Sequence, residues 1–128
     1  MFHRTSGSRP VYLNLAKIKL PIPGVMSIMR RISGVLMVLA IPVILYLSEL
    51  SLSGPEGFAA AADILDRWWI KAAALVLIWS LMHHWLAGIR YLLLDIHIGI
   101  TRHTAYRTAQ WVIVGGLALT VLFAGVLL

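Results

Sequence analysis

The chain has 128 residues, of which 60% are hydrophobic and only 12% charged, with a formal net charge of +6 and no cysteine. A soluble domain of this size carries about a quarter charged residues, so a mean hydropathy of +0.87 excludes an ordinary water-soluble fold. The missing cysteines exclude disulfides, thiolate metal sites and iron–sulfur clusters, and leave histidine as the residue to hold any iron.

Residues 1–24 form a mixed polar arm punctuated by Pro10, Pro21, Pro23 and Gly24, with spaced apolar residues Leu13, Leu15, Ile18 and Leu20 suited to docking. Met1 to Arg9 is polar, and no short apolar core with a small-residue cleavage site follows. The arm is therefore expected to stay attached rather than act as a cleaved leader. Three stretches then lack formal charge: Ile32–Ser48, Ala72–Ile89 (holding only His83 and His84) and Thr108–Leu128. With its flanks, each approaches the ~20 residues that carry an α-helix across a hydrocarbon core.

The sequence predicts an all-α membrane protein in a single domain, 1–128, with transmembrane helices at about 25–50, 68–94 and 109–128. The first helix is expected to start near Gly24 or Val25, because prolines discourage helix before that point, and to bend at Pro42. Ser53-Gly54-Pro55 marks a turn, and Phe58–Asp66 a short interfacial helix. Trp68, Trp69 and Trp111 sit where interfacial tryptophans are found. Gly116, Thr120 and Ala124 repeat every four residues, a small-residue face that admits another helix closely. Three such spans are more easily completed by helices of a partner than by closing on themselves.

Arg4, Arg9, Lys17, Lys19, Arg30 and Arg31 precede the first span, and Arg90, Arg102 and Arg107 lie between the second and third. The first loop holds only Arg67 and Lys71, among Glu49, Glu56, Asp63 and Asp66. The positive-inside rule then places the N-terminus and second loop in the cytoplasm. Topology thus accounts for the positive charge, and nucleic acid is not expected as a partner.

His83, His84 and Arg90 need a reason to lie at bilayer depth, where a central charge costs roughly 2.5–3.5 kcal/mol on insertion scales. Adjacent helical residues diverge by about 100°, so His83 and His84 do not face one iron from opposite sides. The face of His84 carries Ser80, Ala87, Gly88 and Tyr91, and its small residues leave room for a flat macrocycle. The face of His83 carries Trp79, Leu86 and Arg90, which crowd it. His84 is the better haem-ligand candidate, about 24 Å into the span at 1.5 Å per residue; hydrogen bonding between helices is the alternative for a lone membrane histidine. Ser27 and Arg31, four residues apart, share a face suited to a propionate or a carbonyl-bearing head group. The alternative is that Arg30 and Arg31 are snorkelling anchors. Arg90 and Asp95 close the second span as an interface ion pair or part of a proton path, and Tyr91 adds a phenol. His97 and His103 are expected to be solvated.

Four motifs together resemble the larger cytochrome b anchor of bacterial succinate dehydrogenase. Arg9-Pro10-Val11 followed by Leu13 and Leu15 resembles the family's N-terminal arm. Ser27-Ile28-Met29-Arg30-Arg31-Ile32-Ser33-Gly34 is similar to its Ser-Ile-x-His-Arg-x-Ser/Thr-Gly motif. Ser53-Gly54-Pro55-Glu56-Gly57-Phe58 resembles the loop after the first span in some members. His84-x-x-x-Gly88-Ile89-Arg90, with Asp95 beyond, is similar to the His-x3-Gly-Ile-Arg-His-x3-Asp signature.

The resemblance implies a haem b with His84 as one axial ligand and a histidine of a second, smaller anchor subunit as the other. That subunit would complete the helical bundle. It also implies a ubiquinone pocket lined by Ser27 and Arg31, with Arg31, Gly88 and Tyr91 near the haem. An iron–sulfur subunit, a flavoprotein subunit that oxidises succinate, and residence in a bacterial inner membrane follow in the same way. Two positions depart: Arg30 and Tyr91 stand where the motifs have histidine, which bears on propionate contacts and haem potential. A haem-free structural anchor and a fumarate reductase anchor are the alternatives. A small transporter is disfavoured, because the outer halves of the spans lack ionisable residues.

Overall fold

The computed structural model describes residues 19–127; the Arg9-Pro10-Val11 motif and its following leucines lie outside them. Four helices follow in order: α1 Ile22–Leu52, α2 Pro55–Leu65, α3 Trp68–Asp95 and α4 Arg102–Leu127. Among the described residues there is no strand, and three helices are long and apolar enough to span a membrane: Ile22–Leu52, Trp68–Asp95 and Arg102–Val126.

α1 starts at Ile22, earlier than its prolines suggested. Pro21 is the N-cap, in an extended conformation (φ −66°, ψ 153°), and Pro23 falls in the first turn. A proline there sacrifices no hydrogen bond, since the first helical N–H groups have no partner in the helix anyway. The Pro21 carbonyl instead accepts from Gly24 N–H at 2.8 Å and Val25 N–H at 3.1 Å. The helix then runs through Pro42 to Leu52.

The chain reverses at Gly54, whose φ of +134° and ψ of −177° only glycine adopts readily. Pro55 opens α2, and Glu56 occupies the first turn, where a negative charge meets the positive end of the helix dipole. Gly57 is required by packing: a Cβ there would collide with the Leu50 carbonyl oxygen and the Ser53 hydroxyl. α3 follows almost at once, and Lys71 Nζ bonds Asp66 Oδ1 at 2.7 Å across the junction. This exposed pair holds the Asp66 carboxyl below its ordinary pKa, chiefly through the hydrogen bond from Lys71 and then through its charge.

α3 ends in a Schellman arrangement. Ile98 N–H reaches the Leu93 carbonyl at 2.9 Å and His97 N–H the Leu94 carbonyl at 3.0 Å, with His97 in the left-handed region at φ 63°. After Gly99 (φ +80°), Thr101 caps α4: its Oγ1 accepts from Thr104 N–H at 3.3 Å. α4 therefore begins about two turns before the apolar run, because the polar residues Arg102 to Thr108 are already helical.

α3 is the central element, packing on both α4 and α1. The apolar core of Met26, Ala87, Ala109 and Val112 lies where α1 begins, α3 nears its end and α4 begins. Ser33, Ser80, His83, Arg90 and Thr120 are buried as well. The small-residue stripe of α4 is used within this chain. A Cβ on Gly116 would lie 3.3 Å from His83 Cα, and Thr120 Oγ1 donates to the Gly116 carbonyl at 2.6 Å. The helix that this face admits is α3, which approaches at Gly116. α1 has no such cover further along, and Ile41 to Tyr46 are all exposed.

Candidate functional site

His84 projects from α3 against α1, half-buried. Its Nδ1 lies 3.1 Å from the Arg30 carbonyl oxygen and 3.2 Å from Ser33 Oγ. The Ser33 hydroxyl itself donates to the Arg30 carbonyl at 2.7 Å. A carbonyl oxygen only accepts, and the Ser33 proton is already directed at it. Both contacts therefore require the proton on Nδ1, so the neutral ring keeps its lone pair on Nε2. That is the tautomer of an Nε2 metal ligand, with the orienting hydrogen bond on the opposite nitrogen.

Gly34 makes the approach feasible: a Cβ there would sit 3.2 Å from His84 Cε1 and 3.5 Å from Nδ1. Beside the ring runs an open groove of about 760 Å³, lined by Arg31, Gly34, Val35, Met37, Val38, Leu39, Ile41 and His84. The lining is one imidazole, one guanidinium and otherwise apolar, a donor set that fits one axial ligand and one propionate partner of a haem. Among the described residues no cluster of three or more His, Cys, Asp or Glu exists to hold a bare metal ion.

Arg31 is exposed in this groove, and Ser27 is half-buried one turn earlier on α1. Gly88 has open space where a Cβ would stand. Tyr91 is held by two cations, with the Arg30 guanidinium 4.8 Å from its ring centre and that of Arg90 5.7 Å away. Arg90 is only 7% exposed; its Nε donates to Thr108 Oγ1 at 3.0 Å and a terminal nitrogen to the Ala105 carbonyl at 3.0 Å. Arg90 thus ties α3 to α4 and does not pair with Asp95, which is exposed; the ion pair among the described residues is Lys71–Asp66. A hydroxyl and a carbonyl on α4 offered closer partners than the carboxylate at the last residue of α3.

His83 is fully buried and stacks on Trp79, with ring centres 5.4 Å apart and planes 21° from parallel. Its ring nitrogens, like Arg30 Nε, have no hydrogen-bond partner among the described residues. His97 and His103 are exposed, as expected. Sequence reasoning missed Ser33 and Thr108, the hydroxyls that orient His84 and Arg90. Their signal was present only in part: Ser33 lies three residues after Arg30 on α1, but its pairing with α3 needs the helix crossing.

The family described as "Succinate dehydrogenase/Fumarate reductase transmembrane subunit" matches residues 5–123. The chain belongs to this family. A succinate dehydrogenase cytochrome b556 subunit of Paracoccus denitrificans is 34% identical over 117 residues, covering 91% of this chain and 89% of that relative. One from Coxiella burnetii is 34% identical over 92 residues, covering 71% and 74% respectively. The family match spans α1, α3 and most of α4 and includes both His84 and the Ser27–Gly34 segment.

Proposed function

We propose that this chain is the haem-binding membrane anchor of a bacterial succinate:quinone oxidoreductase, a subunit that performs no succinate chemistry itself. The names of its relatives, cytochrome b556 subunits of succinate dehydrogenase, support haem b as the cofactor. The observation that carries the reading is the setting of His84 Nδ1: the Arg30 carbonyl and the Ser33 hydroxyl oxygen accept from it, which keeps the proton on Nδ1 and leaves the Nε2 lone pair for a metal. A smaller anchor subunit would supply the other ligand to the haem and cover the exposed face of α1. The iron–sulfur and flavoprotein subunits complete the complex, and the N-terminus lies on the cytoplasmic side of the inner membrane.

Haem b bound here supplies a one-electron store close to the quinone site. Arg31 would neutralise a propionate, and Gly88, with open space where a Cβ would stand, would leave room for the ring edge, while Gly34 admits the His84 imidazole. Ubiquinone is bound at the start of α1, where the Ser27 hydroxyl donates to a quinone carbonyl and Arg31 stabilises the negative charge that develops on reduction. The deciding experiment is a dithionite-reduced minus oxidised visible spectrum of the assembled complex, wild type against His84→Leu. A b-type signal that is lost or displaced in the variant supports the assignment; a wild-type complex without haem reduces the chain to an anchor. Ser27→Ala and Arg31→Ala are expected to slow quinone reduction while the complex still assembles, and wild-type rates in both would remove the quinone assignment.

A further inference from the structure

Arg90 is a guanidinium near the end of α3, nine-tenths buried, with no acidic partner among the described residues. Thr108 and Ala105 take two of its N–H groups, and a guanidinium has five. The remaining donors and the full positive charge are left uncompensated by any carboxylate.

Arg90 also lines a second groove, of about 310 Å³, between α3 and α4. The groove lies on a different face from that of His84 and shares none of its lining residues. Leu86, Leu93, Ile98 and Trp111 form apolar walls, Thr104 and Thr108 bring hydroxyls, and no acidic residue takes part. Arg90 is five residues before the end of α3, about 7.5 Å along the axis. Trp111, on the opposite wall, is 68% exposed, as for an interfacial tryptophan. The cation therefore lies near headgroup depth, with Leu86 and Trp111 on its hydrocarbon side and Leu93 and Ile98 on its surface side.

We infer that the α3–α4 groove binds a glycerophospholipid, its phosphodiester on Arg90 and one acyl chain along the Leu86–Trp111 walls. Charge complementarity selects this occupant. A basic pocket between transmembrane helices suits an anionic headgroup, and a guanidinium fork matches phosphate oxygens with two parallel hydrogen bonds. An apolar helix from another protein would leave the guanidinium uncompensated, and a soluble anion would leave the walls uncovered. The inference does not rest on the haem reading.

The test is native mass spectrometry of the assembled complex. Wild type, first stripped of lipid in detergent, is titrated with phosphatidylglycerol and, separately, with inorganic phosphate. One phosphatidylglycerol per copy of this chain is expected, with no uptake of phosphate alone. Arg90→Gln should lower occupancy roughly tenfold, the equivalent of one charge-assisted hydrogen bond, whereas Arg90→Lys should retain part of it. Because Arg90 also joins α3 to α4, Leu93→Trp provides a second variant that fills the groove from a partly exposed wall (Leu93 is 41% exposed) and leaves the cation intact; it too should lose the lipid. Wild type that binds no phosphatidylglycerol, or phosphate equally well, overturns the inference. So does undiminished occupancy in Leu93→Trp.

Discussion

Gly34→Ala separates the stability of the fold from the orientation of His84. The added Cβ would stand 3.2 Å from His84 Cε1, inside the roughly 3.5–4.0 Å of a relaxed carbon contact, so the ring must retreat by about half an ångström. Nδ1 starts at 3.1 Å from the Arg30 carbonyl and 3.2 Å from Ser33 Oγ. Such a retreat takes both contacts to about the limit at which a hydrogen bond ceases to count. Loss of the group that orients a metal-bound histidine lowers metal affinity roughly 10–100-fold. In an α-helix the same substitution contributes up to about 1 kcal/mol of helix propensity. The expected pattern is therefore an unchanged or raised melting temperature of the complex together with lower haem retention and a displaced reduced-minus-oxidised band. Gly125→Ala, with nothing within 4 Å of the new Cβ, controls for glycine replacement. Full haem content with an unmoved band in Gly34→Ala would refute the role assigned to the Arg30–Ser33–His84 contacts.

Three further expectations address the loops. Gly57→Ala should destabilise the α1–α2 corner by about 1–3 kcal/mol as an overpacked site, because Leu50 and Ser53 occupy the space of the new methyl; thermal denaturation of the complex reads it directly. His97→Gly should raise stability by about 1 kcal/mol, since His97 holds φ 63° in a helix-terminating position where glycine has no steric cost; an unchanged melting temperature would show that His97 makes an offsetting contact. Asp66, held below its ordinary pKa by Lys71, adds stability at neutral pH that disappears as pH falls through its folded value and the carboxyl protonates. Because the pair is exposed, that contribution is small and salt-screened. Asp66→Asn should accordingly flatten the acid limb of the stability profile only slightly.

Hydropathy made the three spans legible because transfer from water is a sum over many side chains and tolerates local error. The ends of helices were less legible for a specific reason. Apolar runs mark where a helix enters lipid, whereas α4 starts at Arg102, at a Thr101 cap, in a polar segment. α1 starts at Ile22 because proline is harmless in a first turn. At the site, the i, i+4 rule put Trp79 on the face of His83, and the structure bears out that crowding. What the pattern could not carry was the crossing of α1 on α3. It brings Gly34 and Ser33 to His84, while the packing of α4 on α3 turns Arg90 toward Thr108 rather than Asp95 and uses Gly116 inside the chain. Those pairings span some 50 residues of sequence for α1 and α3, a separation over which periodicity holds no information.

The acceptor that orients His84 is the main-chain oxygen of Arg30, so no side-chain replacement at position 30 deletes it. If His84 holds a haem as proposed, coordination geometry and local electrostatics are thereby placed under separate control at one residue. The motif this segment resembles has histidine at that position, and this chain has arginine, yet the carbonyl presented to Nδ1 is chemically the same. A permanent cation there favours the electron-rich state of a nearby redox centre. Position 30 can thus drift between residues of different charge, retuning the potential of the site while the ligand's aim is inherited from the backbone.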